Sequence, residues 1–139
     1  MPPEPFSHTL RVRYSECDAQ GIVFNANWFL FVDVTMTEFW RHTLDGYLSL
    51  PKMYGVEVVM AQNGANFRSP AHFDDILKIT PKPTKLGNSS LRMEFTVERD
   101  GELLWEAFAI YVFVDHETLR PVPMPDEVRA RLADAAATD

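Results

Sequence analysis

Residues 27 to about 44 read as one long helix in a chain whose other patterned segments read as strands. The first turns of that helix, Trp28-Phe29-Leu30-Phe31-Val32, are apolar nearly all round. Such a helix is expected to be buried over most of its circumference. Polar residues enter only later, at Asp33, Thr37, Glu38 and Arg41. Asn25 or Asn27 is expected to cap its start, and Gly46 to stop it. A helix of this kind needs cover, and strands are the main supply. One antiparallel sheet wrapped around one central helix is the economical arrangement.

The strand signals are consistent with that. Residues 6–15 alternate, with Leu10, Val12 and Tyr14 against Arg11 and Arg13. A loop runs from residue 16 to about 26. A second strand is expected over 56–67, with Gly64 as a bulge. A third covers 74–86, where Pro81 and Pro83 remove ladder donors and predict an edge or bent end. Residues 91–98 alternate cleanly, with Leu91, Met93, Phe95 and Val97 on one side. Arg99-Asp100-Gly101-Glu102 reads as a hairpin turn into a last strand, 103–115, apolar enough to be central. Asp126 and Glu127 open a C-terminal helix at about 125–136, with Arg129 and Arg131 placed further along to suit its dipole. The expectation is one α+β domain over 1–139, with a short N-terminal tail at 1–5.

Composition narrows the function classes. The chain carries a net charge of −7 and no basic run, which argues against a nucleic-acid partner. Its single Cys fits a reducing compartment, the first residues show no leader pattern, and no apolar run reaches membrane length. A cytoplasmic protein is the expectation. His8, His42, His72 and His116 are scattered without metal-ligand spacing, so no metal is expected.

The chemistry concentrates at Glu16-Cys17-Asp18-Ala19-Gln20-Gly21-Ile22-Val23-Phe24-Asn25. Asp18 stands on a Gly-containing loop just before the helix start, whose unpaired N–H groups cradle negative charge. A carboxylate beside such a cradle is the minimum kit for acyl transfer. A loop Asp that merely shapes a turn is the commoner fate of the residue. Cys17 has no His at a partner spacing and reads as a small, semi-buried side chain. Asp33 and Glu38 are rival carboxylates on the helix. Asp33 suits a structural bond or a dimer contact, and Glu38 pairs most simply with Arg41.

The segment Asp18-x-x-Gly21-Ile22-Val23, followed by Asn27 and Trp28, resembles the signature of hotdog-fold acyl-CoA thioesterases of the 4-hydroxybenzoyl-CoA thioesterase type. Asp33 with Thr37-Glu38 and Arg41, Phe67-Arg68-Ser69-Pro70-Ala71 with Asp74-Asp75, and Lys85-Leu86-Gly87-Asn88-Ser89-Ser90 are similar to further parts of that family, in the same order. The resemblance spans residues 12 to 115. It implies a five-stranded sheet around one long helix, and thioester hydrolysis in which Asp18 is nucleophile or general base. The Asn25 backbone amide would be the oxyanion donor. Gly21, Val23, Phe24, Asn27, Trp28, Ser89 and Ser90 would meet the substrate, with Lys82, Lys85 or Arg92 near the phosphates. Coenzyme A is then part of the substrate and no separate cofactor is implied. Homodimers, often paired into homotetramers, are implied as well. Phe24 and Asn25 stand where many relatives carry Tyr or His. A hydratase or dehydratase of the same fold, and a non-catalytic acyl-CoA-binding protein, are the alternatives.

Overall fold

The computed structural model describes residues 4–138. The expected tail at 1–5 therefore lies partly outside the described residues. Five strands, β1 (His8–Arg11), β2 (Val56–Phe67), β3 (Ile76–Leu86), β4 (Ser90–Arg99) and β5 (Glu102–Asp115), form one antiparallel sheet in the order β1-β3-β4-β5-β2. The long helix α1 (Asn27–Thr43) lies against one face. The alternating residues Leu91, Met93, Phe95 and Val97 of β4 are fully or almost fully buried in this interface. Trp28 of α1 stacks on Trp105 of β5 with ring centroids 5.3 Å apart, and Phe29 meets the same ring edge-on. A short helix α2 (Ser49–Tyr54) and the C-terminal α3 (Asp126–Ala136) complete the structure.

The long helix occupies the expected residues but is less enclosed than its composition suggests. Trp28, Phe31, Val32, Thr35, Met36, Phe39, Trp40 and Thr43 form one buried stripe. Leu30 and Val34 on the other side are exposed, at 59% and 44%. One sheet layer covers one side of a helix, and among the described residues of this chain none buries Leu30 or Val34 on the other. The expected asparagine cap is also corrected. The capping position is Ala26, in helical conformation and without a side-chain bond, and Asn27 is already the first helical residue. Gly46 does close the far end, since its N–H reaches the Trp40 carbonyl at 3.2 Å with φ at +97°.

The first strand is four residues long instead of spanning 6–15. After it the Arg13 N–H donates to the Glu16 carboxylate at 2.7 Å, which pulls Tyr14–Glu16 into a single 3₁₀ turn. The bulge in β2 falls between Met60 and Gln62 and not at Gly64. Gly64 keeps regular pairing with Phe108, and a Cβ there would stand 2.6 Å from the Phe108 ring. Pro81 and Pro83 do fall on an edge. The first strand pairs β3 only as far as Ile79, leaving the remainder of β3 open on that side. The hairpin after β4 has φ of +52° at Asp100 and +82° at Gly101, the geometry that matches strand twist. β5 is flanked on both sides, by β4 and β2, but the middle place in the order belongs to β4. Helix α2 had no sequence forecast; it ends at Gly55 with φ at +66°. In α3, Arg129 and Arg131 do not serve their own helix end. They donate to the carbonyls of Gly87, Asn88 and Thr43, tying α3 to the β3–β4 turn and to α1.

Candidate active site

The segment from Glu16 to Phe24 folds back on itself as a miniature hairpin. Cys17 bridges Val23, and the Asp18 N–H donates to the Ile22 carbonyl at 2.9 Å. The Gly21 N–H returns to the Asp18 carbonyl at 2.9 Å, and a φ of +79° at Gly21 closes the turn. Gly is the residue that takes such a φ without strain. The Asp18 Oδ1 accepts the Gln20 N–H at 2.8 Å, so the carboxylate is held at the tip with one oxygen engaged.

The helix start follows immediately. The N–H groups of Asn27, Trp28 and Phe29 turn inward to the carbonyls of Phe24, Asn25 and Ala26. Those of Asn25 and Ala26 donate to no backbone carbonyl among the described residues. Two amides ahead of a long helix are thus left to donate to a negatively charged group from outside, with the helix dipole behind them.

Asp18, Val23, Asn25 and Trp28 line one cleft of about 350 Å³, with Gln20 and Ile22 beside them. The opposite wall is Phe67, Arg68, Ser69 and Pro70, the connection leaving β2. Phe67 leans on Trp105 at 6.0 Å, so the aromatic stack beneath Trp28 continues to the cleft mouth. The cleft wall is pinned from behind. Arg99 donates to the Pro70 carbonyl at 3.3 Å and to Asp75 at 2.7 Å, and Asp75 also accepts the His72 N–H. Burial alone would raise the Asp75 pKa, but the His72 N–H and the Arg99 guanidinium outweigh it and hold it below the usual value. The Val23 N–H donates to the Ala71 carbonyl at 2.8 Å, joining this wall to the Asp18 hairpin.

Cys17 is a free, partly buried thiol at the root of the same hairpin. Burial first, then the charges of Asp18, Glu16 and Asp75, push its thiol up, away from the reactive thiolate. Of the other residues singled out above, Gly21 makes the hairpin turn, and Phe24 is about half exposed beside the cleft without lining it. The Asn27 side chain turns away to the Glu16 carbonyl at 2.8 Å. Ser89 and Ser90 are not brought to Asp18 within one chain. Ser90 pairs with Val112, whereas the cleft end of the sheet pairs Phe67 with Trp105. At ~3.3 Å per residue these points on β5 lie roughly 23 Å apart. Arg92 instead caps the Phe108 ring at 4.3 Å on the sheet's outer face. A second hollow of about 400 Å³ lies on that face, between Arg92, Glu94, Glu106 and Phe108. It holds two carboxylates, Glu94 and Glu106, but no helix start, whereas the Asp18 cleft sets a carboxylate beside one.

Sequence reasoning passed over two features. Residues 67–70, which the resemblance matches only as part of a family pattern, form a wall of the cleft. Glu16, the one buried charged residue among the described residues, anchors the hairpin, and only its i,i+3 spacing from Arg13 hints at it.

A curled five-stranded antiparallel sheet carrying one long helix, with this cleft at the helix start, defines a hotdog α+β protein. The family model of the Thioesterase-like superfamily matches residues 12–132, and the chain belongs to that family. It is 29% identical over 126 residues to the acyl-CoA thioester hydrolase YbgC of Escherichia coli, covering 90% of this chain and 93% of that one. A solved thioesterase-superfamily structure from Jannaschia sp. superposes with a TM-score of 0.86 at 25% identity, over 96% of both chains. A Staphylococcus aureus protein solved in complex with CoA superposes with a TM-score of 0.90, covering 100% of this chain and 89% of that one. At 16% identity the last likeness bears on the fold alone.

Proposed function

We propose that this chain is an acyl-CoA thioesterase, releasing a free acid and CoA at the Asp18 cleft. The observation that carries the reading is the shared cleft: a carboxylate and a helix start with free amides, above an aromatic floor. Family membership and the likeness to a named acyl-CoA thioester hydrolase support it.

Two routes use the same groups. In the first, an Asp18 oxygen attacks the thioester carbonyl carbon. The carbonyl oxygen takes the negative charge and is held by the Asn25 N–H. The C–S bond then breaks, the CoA thiolate departs, and an acyl–Asp18 anhydride remains for water to hydrolyse. In the second, Asp18 takes a proton from a water molecule as that water attacks the same carbon. A thiolate is a good enough leaving group for either route to proceed without a strong acid. Trp28 supplies the floor for the acyl group, and Gly21 and Val23 shape the hairpin that presents Asp18. Ser89 and Ser90 would reach a CoA arm only from a neighbouring copy of the chain. That fits an assembly in which the bare outer edge of β2 pairs with its symmetry mate, as a homodimer or a dimer of dimers. A cytoplasmic location is part of the same proposal.

A panel of aliphatic and aromatic acyl-CoAs with a thiol-release readout tests the reading, with crotonyl-CoA hydration followed in parallel. Thiol release from at least one thioester is the expected result. Saturable CoA-ester binding without turnover would leave a binding module, and water addition to crotonyl-CoA a hydratase.

A further inference from the structure

The Glu16 carbonyl accepts two hydrogen bonds from the helix-start segment. One comes from the Phe24 N–H at 2.9 Å, the other from the Asn27 side-chain amide at 2.8 Å. Glu16 is itself immobilised. Its carboxylate, 12% exposed, takes the Arg13 N–H at 2.7 Å and the Arg13 guanidinium at 2.6 and 3.2 Å. The root of the Asp18 hairpin and the first turn of α1 thus meet on one fixed oxygen.

Resting on the thioesterase reading above, we infer that Asn27 is a positioning residue, setting the Asp18 carboxylate against the free amides of Asn25 and Ala26. The Asn27 amide nitrogen is already spent on Glu16, and the residue is absent from the cleft lining. Its work is therefore mechanical. Between the two anchors lie Asp18 at the hairpin tip and Asn25 at the helix start, each held by short-range bonds alone. Besides the Phe24 N–H, which precedes the helix, Asn27 makes the one hydrogen bond among the described residues from the first turn of α1 to the strand side of the hairpin, and Ala26 offers no capping side chain. Without Asn27 the helix keeps its packing through Trp28 and Phe31, while the angle between hairpin and helix start loosens. Misplacement by about 1 Å is enough to cost two orders of magnitude in rate.

The test compares Asn27→Ala and Glu16→Gln with Ser49→Ala. The last removes a similar side chain-to-carbonyl bond, Ser49 Oγ to the Gly46 carbonyl at 2.6 Å, beyond the far end of α1. The expected result for Asn27→Ala is a kcat reduced about ten- to hundredfold with KM held within about threefold. Glu16→Gln is expected to give a smaller loss of the same kind, and Ser49→Ala wild-type kcat. Backbone ¹⁵N order parameters are expected to fall at residues 18–26 in Asn27→Ala and nowhere else. Unchanged kcat, or unchanged order parameters at 18–26, overturns the inference. So does an equal kcat loss in Ser49→Ala, which would mark a general stability effect. If the wild-type protein hydrolyses no thioester the enzymatic reading fails, and the order parameters still decide whether Asn27 holds the hairpin to the helix.

Discussion

Gly64 faces the Phe108 ring across the β2–β5 pair, where any Cβ would stand 2.6 Å from a ring carbon. The Arg92 guanidinium covers the same ring at 4.3 Å, so a ring that withdraws gives up that contact. Gly64→Ala is therefore expected to destabilise the fold by about 1–3 kcal/mol, read from urea unfolding midpoints. In sequence this glycine looked like a bulge, because the ring that requires it lies 44 positions away on another strand. Asp75 gives a pH-dependent case. Its folded pKa lies below the unfolded value, so its contribution is present above about pH 4 and lost as pH falls through the folded value. Asp75→Asn is expected to cost about 1.5–3 kcal/mol at pH 7 and markedly less near pH 2, measured by the same unfolding curves. Equal losses at both pH values would show that the Arg99 pairing is not the source. Glu16 was illegible for a related reason: no pattern in a polar stretch says that its carboxylate folds back on the Arg13 N–H.

Among the elements, those with strong periodicity were readable. The bounds of α1, β2, β4 and α3 fall within a residue or two of expectation, since each carries its own apolar face. Where local bonds compete with pattern, the reading failed. Alternation through Val12 and Tyr14 promised a longer first strand, yet the Arg13–Glu16 turn ends it. The apolar circumference of α1 was legible as composition, but which side stays open depends on the sheet having a single layer. Leu30 and Val34 are exposed on that open side, and the bare edge of β2 has Val59 and Met60 exposed at 42% each; these are the surfaces that the proposed dimer would cover. The strand Val56–Phe67 has neither Pro nor Lys to protect its edge. Met60→Lys is expected to weaken self-association roughly tenfold in sedimentation equilibrium while leaving the far-UV spectrum intact. An unchanged association constant would place the contact elsewhere.

Across the whole molecule, half of the candidate site could be read from one stretch of sequence. Asp18, Val23, Asn25 and Trp28 are near neighbours in the chain and do line one cleft. The other wall, residues 67–70, arrives from the end of β2 and is fixed by Arg99 from the β4–β5 hairpin, contacts that no local pattern encodes. Ser89 and Ser90 were grouped with the site by resemblance, and the register of β4 with β5 puts them at the other end of the sheet. The decisive measurement is kcat/KM of Asp18→Asn against wild type, on whichever acyl-CoA the wild-type protein cleaves fastest. Acyl-CoA affinity and melting temperature are followed alongside. A fall of at least about a hundredfold, with affinity and melting temperature near wild type, is the predicted result. Turnover within a few-fold of wild type would contradict the assignment of thioester hydrolysis to Asp18.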